Sequence, residues 1–147
     1  MKLLVILPRF PYPIEKGDKL RAYHQLRILS RSFDIILVAI SHERVPAASI
    51  EKIKPFCSKI VIVRPLLTDI FINLIRAFLN KWPLQAGYYY SRKAQRKINR
   101  ILAEDKPDHI YCKLLRTAAY ALGSNLPKTL DYQDVFSKGI ERRIPTA

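Results

Sequence analysis

The chain has 147 residues, enough for one domain with a substantial core, and its 49% hydrophobic and 26% charged residues exclude a disordered protein. The net charge of +14, from 26 Lys and Arg against 12 Asp and Glu, is the outlier in the composition. Such a surface favours anionic partners, namely nucleic acid, phosphorylated small molecules or an acidic membrane face. Charge alone does not choose among the three.

The elements alternate along the chain in the order β-α-β-α-β-α-α-β-α-β-α. Apolar runs predict strands at 3–7, 34–40, 59–63, 108–112 and 127–131. Helices are predicted at 19–32, after Pro46, at 67–79, 92–104 and 114–122, and from 133 onward. Asp18 is the expected N-cap of the first helix and Gly123 the expected C-terminal cap of helix 114–122. This alternation predicts a Rossmann-like three-layer α/β sandwich with a mostly parallel central sheet.

The cysteines and the apolar runs indicate the cellular compartment of the protein. Cys57 and Cys112 lie in apolar surroundings, which is typical of reduced core residues in a cytosolic protein, and no metal-site spacing occurs, so no metal is expected. The N-terminal apolar run is too short for a signal peptide. The most apolar later stretch, 60–84, is interrupted by charges and is not expected to span a bilayer. A cytoplasmic location is predicted.

The loop after the first strand indicates where a ligand would bind. The strand runs into the proline-rich segment Pro8–Pro13, and Gly17-Asp18 then open a helix. In open α/β sheets the ligand crevice lies at the carboxyl ends of the strands, where helix N-termini point free N–H groups. We therefore expect a site at this edge of the sheet.

Several segments resemble one branch of the family 4 glycosyltransferases, in order and over nearly the whole chain. The opening segments Leu7–Pro13 and Lys16–Gln25 are the more specific, and the weaker matches are 83–91, 107–112, 114–116 and 130–137. The resemblance implies a retaining GT-B enzyme built from two Rossmann-like domains. Residues 1–147 would be its N-terminal acceptor-binding domain, and the C-terminal nucleotide-sugar-binding domain would be absent from this chain.

The implied activity is hexosyl transfer from a nucleotide-sugar donor, in cell-surface polysaccharide or glycolipid synthesis. This chain alone is expected to be inactive. A sugar or lipid-linked acceptor and the missing domain are the expected partners, with no cofactor in this chain. The segment 66–84 joins wide apolarity with Arg76, Lys81 and Trp82 and could dock on the inner face of the membrane. A helix covering the sheet explains the same pattern.

Four candidate residues lie at the start of the first helix. The resemblance places Gly17 and Asp18 in a cleft loop near the donor phosphates, although an ordinary loop glycine and a capping aspartate explain them as well. Arg21 and His24 are one turn apart and could hold an anionic acceptor group. A solvated basic face is the alternative for this pair.

Four more follow the later strands. Lys113 and Arg116 come after strand four, where a phosphate or an acidic sugar could bind, or where they could be surface cations. Many family members carry a histidine at this point, whereas here His109 lies within the strand. Asp134, the best candidate for a catalytic residue, and Ser137 follow strand five and could contact sugar hydroxyls. Asp134 could instead cap the next helix.

Two other classes of function remain open. A non-catalytic anion- or nucleic-acid-binding module would exploit the charge of +14. The basic residues are spread over many elements without a recognised binding motif, so nucleic acid is not the expected partner. A stand-alone flavodoxin-like ligand binder is the third hypothesis.

Overall fold

A computed structural model of the chain describes residues 1–65 and 90–132. These residues contain a five-stranded sheet in which every neighbouring pair is parallel, in the order β3-β2-β1-β4-β5. The strands are β1 Lys2–Leu7, β2 Asp34–Ile40, β3 Lys59–Val63, β4 His109–Lys113 and β5 Lys128–Asp131. All five predicted strands are confirmed to within one residue at each end.

The helices of the described residues alternate with the strands. They are α1 Gly17–Leu29, α2 Ala47–Ile53, α3 Arg92–Glu104 and the short α4 Leu115–Ala118, with 3-10 turns at Lys54–Phe56 and Ala119–Ala121. Helix α3 matches its prediction at both ends, and Pro46 directly precedes α2 as expected. The predicted helix 67–79, the segment 66–84 proposed for membrane contact and the helix from 133 lie outside the described residues.

Strands β1 and β2 are buried on both faces of the sheet. Successive side chains of a strand point to opposite sides, so each of these strands contributes to both faces. On one side Leu3, Val5 and Leu7 of β1 share a cluster with Ala22 and Leu26 of α1. On the other side the alternate residues of β1 pack in a cluster with α3 and the 3-10 turn at 119–121. The predicted three-layer Rossmann-like α/β architecture is therefore confirmed.

Two predicted helix ends are wrong. Helix α1 begins at Gly17, preceded by Lys16 without a side-chain cap, so Asp18 lies in the first turn, where its charge complements the helix dipole. Helix α4 ends at Ala118 and tightens into a 3-10 turn that buries Tyr120, and no described glycine has a positive φ. Gly123 therefore does not form a left-handed cap, because the helix ends five residues before it.

The described residues include no helix with the length and apolarity needed to cross a membrane. Cys112 is buried and Cys57 half-buried, and both thiols are free. Burial raises the pKa of Cys57 to about 12 and that of Cys112 to about 11, so both thiols are protonated at neutral pH.

The inner strand β2 provides a test of this packing. Leu37 is fully buried, whereas Ile28 on α1 is 60% exposed. Leu37→Ala leaves a cavity and is expected to lower the free energy of unfolding by about 2–5 kcal/mol, measured by urea titration. Ile28→Ala, the matched control, should change it by less than about 1 kcal/mol. Equal losses in the two variants would contradict the assigned faces.

Candidate functional site

A cleft of about 380 Å³ opens at the carboxyl edge of the sheet. We call it the loop cleft. Its walls come from the loops that follow β1 and β2, with one residue beyond β4. The lining residues are Pro8, Arg9, Phe10, Tyr12, Pro13, Lys16, Lys19, Ser41, His42, Glu43, Arg44, Val45, Pro46 and Arg116. The site therefore lies at the edge that the strand–loop–helix pattern predicted.

The loop cleft is strongly cationic. Its charged lining consists of one carboxylate, Glu43, and five basic side chains: Arg9, Lys16, Lys19, Arg44 and Arg116. Arg9 also forms an ion pair with Asp18, with 3.5 Å between Nη1 and Oδ2. The hydroxyl of Ser41 donates to the backbone carbonyl of Glu43, which holds the β2 loop in place.

Next to this cleft, a polar network joins α1 to the ends of β4 and β5. Its centre is the carboxylate of Asp131, and we call it the Asp131 network. Gln25 donates to Oδ2 at 2.8 Å, and the Tyr111 hydroxyl donates to the same oxygen at 3.0 Å. Arg21 forms an ion pair with Oδ1 at 3.3 Å. The network fixes the side of α1 to the edge of the sheet.

Lys113 extends this network under the first turn of α1. It is paired with Asp131 in the β4–β5 register, and its side chain is 1% exposed. Its ammonium donates to the carbonyl of Asp18 at 3.1 Å and to Oε1 of Gln25 at 3.2 Å. Gln25 thus uses its amide oxygen for Lys113 and its amide nitrogen for Asp131, and so links the two charges.

The network shifts the pKa values of its members in the directions expected from burial and charge. Burial lowers the pKa of Lys113 to about 8, although the charge of Asp131 opposes the shift. Burial and the hydrogen bond to Asp131 raise the pKa of Tyr111. Burial alone would raise the pKa of Asp131, but hydrogen bonds from Gln25 and Tyr111, with the charge of Arg21, lower it. The Asp131 carboxylate is therefore ionised at neutral pH and accepts the hydrogen bonds of the network.

The backbone is strained at the turn that follows β4. Leu114 has φ 66° and ψ 153°, a region that only glycine occupies readily. Its N–H donates to the carbonyl of Asp131, and the hydroxyl of Thr117 donates to the carbonyls of Lys113 and Leu114. These bonds hold the turn that directs the chain from the buried Lys113 to Arg116 in the loop cleft.

The structure separates the four candidates at the start of α1. Asp18 is next to the loop cleft through its pair with Arg9. Gly17 begins α1 with no positive φ, and a Cβ there would meet no described atom within 4 Å. Arg21 is engaged by Asp131, and His24 makes an edge contact with the ring of Tyr23. Neither Arg21 nor His24 lines the loop cleft.

The candidates after the later strands also divide. Arg116 lines the loop cleft, whereas Lys113 is buried under α1 and is not a surface cation. His109 is the first residue of β4, so it lies at the far end of the strand, where its ring contacts the hydroxyl of Thr129. Asp134 and Ser137 lie outside the described residues, and their assignments stay predictions.

Sequence reasoning missed Gln25 and Tyr111, and it assigned Asp131 only to the end of a strand. Gln25 contacts Asp131 across 106 residues of chain and Tyr111 contacts it across 20, and no local pattern reveals contacts of this kind. The loop 41–46 could have been found, because polar and charged residues follow the buried strand β2 just as they follow β1. Within 1–65 and 90–132, no three His, Cys, Asp or Glu residues are grouped to hold a metal ion.

The buried ammonium gives the stability a characteristic pH dependence. The pKa of Lys113 is about 8 in the folded protein, against 10.5 for an ordinary lysine side chain. Between these values the unfolded chain binds more protons, so stability rises with pH. Relative to Lys113→Met, the wild type should gain up to about 1.4 kcal/mol per pH unit above pH 8, measured by urea titration at each pH.

Comparison with a variant at the same pH removes the contributions that the other ionisable groups make equally in both proteins. Lys52→Met is the matched control, because Lys52 lies exposed on α2. The difference between the wild type and Lys52→Met should stay constant with pH. A constant difference for Lys113→Met as well would show that the ammonium is not buried.

Compared with models of known protein families, this chain matches none. A search of curated proteins finds no match either.

Proposed function

We propose that this chain is the acceptor-binding domain of a nucleotide-sugar-dependent glycosyltransferase of the GT-B type. The observation that carries the proposal is the position of the loop cleft. It lies at the carboxyl edge of a parallel sheet, where α/β folds bind ligands. Half of its lining comes from 8–19, which overlaps the two segments with the most specific resemblance to family 4 glycosyltransferases.

The chemistry of the cleft supports a polar, anionic ligand. The basic side chains of the β1 and β2 loops attract negative charge, and Arg116 approaches from the turn beyond β4. Lys113 and the Asp131 network hold α1 and the turn after β4, which carry Lys19 and Arg116 of the lining. In this proposal the loop cleft orients a sugar or lipid-linked acceptor, and the nucleotide-sugar binds a second domain.

The remaining functional assignments follow from the same proposal. The transferred group is a hexosyl unit, the product belongs to a cell-surface polysaccharide or glycolipid, and the enzyme works in the cytoplasm at the inner face of the membrane. Gly17 and Asp18 lie at the start of α1, beside the cleft, where the donor phosphates would approach. Asp134 stays the candidate for the catalytic carboxylate.

A transfer assay tests this function. The product of the complete gene and residues 1–147 alone are incubated with UDP-, GDP- and ADP-sugars and membrane lipid extract, and labelled product is measured. We expect transfer by the complete protein and none by the chain alone.

Arg116→Ala in the complete protein should lower kcat/KM by roughly 10–100-fold, because charged hydrogen bonds contribute about 1.5–3 kcal/mol. Lys52→Ala is the matched control and should leave kcat/KM unchanged. No transfer by the complete protein with any donor would exclude this function.

A second function is favoured by one surface of α3. Five cations follow i, i+4 spacing on its exposed side, opposite the buried residues of the same helix: Arg92, Lys93, Arg96, Lys97 and Arg100. Like charges at this spacing destabilise a helix, and one acidic neighbour, Glu104, lies 3.9 Å from Arg100. This basic face would fit the phosphates of a nucleic acid, the alternative that the charge of +14 left open.

Salt dependence distinguishes this second function from the first. If α3 binds nucleic acid, the affinity for a labelled single-stranded oligonucleotide should fall steeply with salt, and Arg92→Ala/Arg96→Ala should reduce the slope of log K against log salt by about 1–2. Arg27→Ala/Arg31→Ala, with the same change of charge at the end of α1, should have no effect. Equal effects of the two double variants, or a slope near zero, would exclude a nucleic-acid site on α3.

A further inference from the structure

We propose that the loop cleft binds a phosphate ester or diphosphate, and that this anionic group is part of the acceptor. That the anionic group belongs to an acceptor rests on the proposed function, whereas the anion site is inferred from the residues that line the cleft. Sequence reasoning had given an anionic acceptor group to Arg21 and His24. We assign this role instead to side chains of the β1 and β2 loops, because Arg21 forms an ion pair with Asp131.

The balance of charge in the cleft favours an anion with more than one negative charge. Apart from Arg116, four cations and one carboxylate, Glu43, line the cleft, and the neighbouring Asp18 forms an ion pair with Arg9. Lys16, Lys19 and Arg44 form no ion pair and no side-chain hydrogen bond in the part of the chain that the structure describes. A phosphate monoester carries about −1.5 to −2 charge at pH 7, and a diphosphate carries more.

These cations come from two separate segments of the chain, which also favours a bound anion. Lys16 and Lys19 belong to the start of α1, and Arg44 belongs to the β2 loop about twenty-five residues later. The fold thus brings basic residues of two separate segments into the lining of one cleft. Mutual repulsion makes this arrangement costly without an anion, and it relaxes when oxygens of one phosphate accept hydrogen bonds from both loops.

The size and the remaining lining limit the ligand further. A volume of about 380 Å³ is near the lower end for small-molecule sites, so it holds a head group and not a complete nucleotide-sugar. Tyr12, Val45 and Pro46 provide an apolar wall beside the charges. Ile14, Leu20 and Leu115 are large exposed apolar residues, each next to a lining residue in sequence. A phosphate joined to a sugar or to a lipid shares the required chemistry.

The first experiment measures anion binding by the chain itself, without an activity assay. Calorimetry with inorganic pyrophosphate, glucose 1-phosphate and vesicles of phosphatidic acid in phosphatidylcholine is carried out at constant ionic strength. Lys16→Ala/Arg44→Ala should weaken pyrophosphate binding about tenfold or more. Arg27→Ala/Arg31→Ala removes the same charge from the opposite end of α1 and should leave binding unchanged. Equal weakening in the two variants would overturn the proposal, since attraction would then follow net charge alone.

The titrations with glucose 1-phosphate and with phosphatidic acid vesicles identify the source of the phosphate. Binding of glucose 1-phosphate that depends on Lys16 and Arg44 indicates a soluble acceptor, and binding of the vesicles alone indicates a lipid-linked one. Failure to bind pyrophosphate and both esters overturns the proposal. If the double variant does not fold, amide shifts of the wild-type chain decide the question. Pyrophosphate should shift residues 9–19 and 41–46, and shifts confined to other residues would overturn the site.

The outcomes separate this inference from the proposed function. If the complete protein transfers no sugar but the loop cleft binds pyrophosphate through Lys16 and Arg44, the anion site stands and the transferase assignment fails. In the opposite case the complete protein transfers sugar, but the Lys16→Ala/Arg44→Ala variant binds anions as tightly as the wild type and has the same KM for the acceptor. The proposed function then stands and the phosphate site fails.

Discussion

The parallel pairing of five strands is the constraint on which the rest of this molecule depends. Each strand must return through a connection on one face of the sheet, so all five carboxyl ends open at the same edge. The apolar faces of β1 are buried by α1 on one side and by α3 on the other, which leaves the loops at that edge free to carry polar groups. The loop cleft exists because three such loops meet there.

The buried charge of Lys113 links this scaffold to the site. An ammonium with 1% exposure needs acceptors, and it finds them in the carbonyl of Asp18 and the amide of Gln25. Through Gln25 it is coupled to Asp131, which also holds Arg21 and Tyr111. The cost of burying the charge is offset by contacts that fix the first turn of α1, and this turn forms one wall of the cleft.

Part of the excess of basic residues is concentrated in two groups. One group faces the loop cleft from two loops, and another forms the exposed side of α3. The two groups differ in shape. The cleft is concave and small, which suits the phosphate of a small molecule or a lipid head group, whereas the α3 face is convex and suits an extended anionic surface. This difference is why the two proposals can be tested independently.

The sequence by itself determined the strands, their parallel arrangement and the edge of the sheet at which the loop cleft opens, because apolar periodicity and strand–helix alternation are local properties. It placed Arg116 and Asp18 near the site. It did not reveal the Asp131 network, the burial of Lys113, the position of Arg44 in the cleft lining or the ion pair between Arg21 and Asp131. Only the tertiary structure decided these features, because each depends on side chains from strands and loops that are far apart in the chain. Packing and electrostatics determine which of these side chains meet, and no local sequence pattern encodes that.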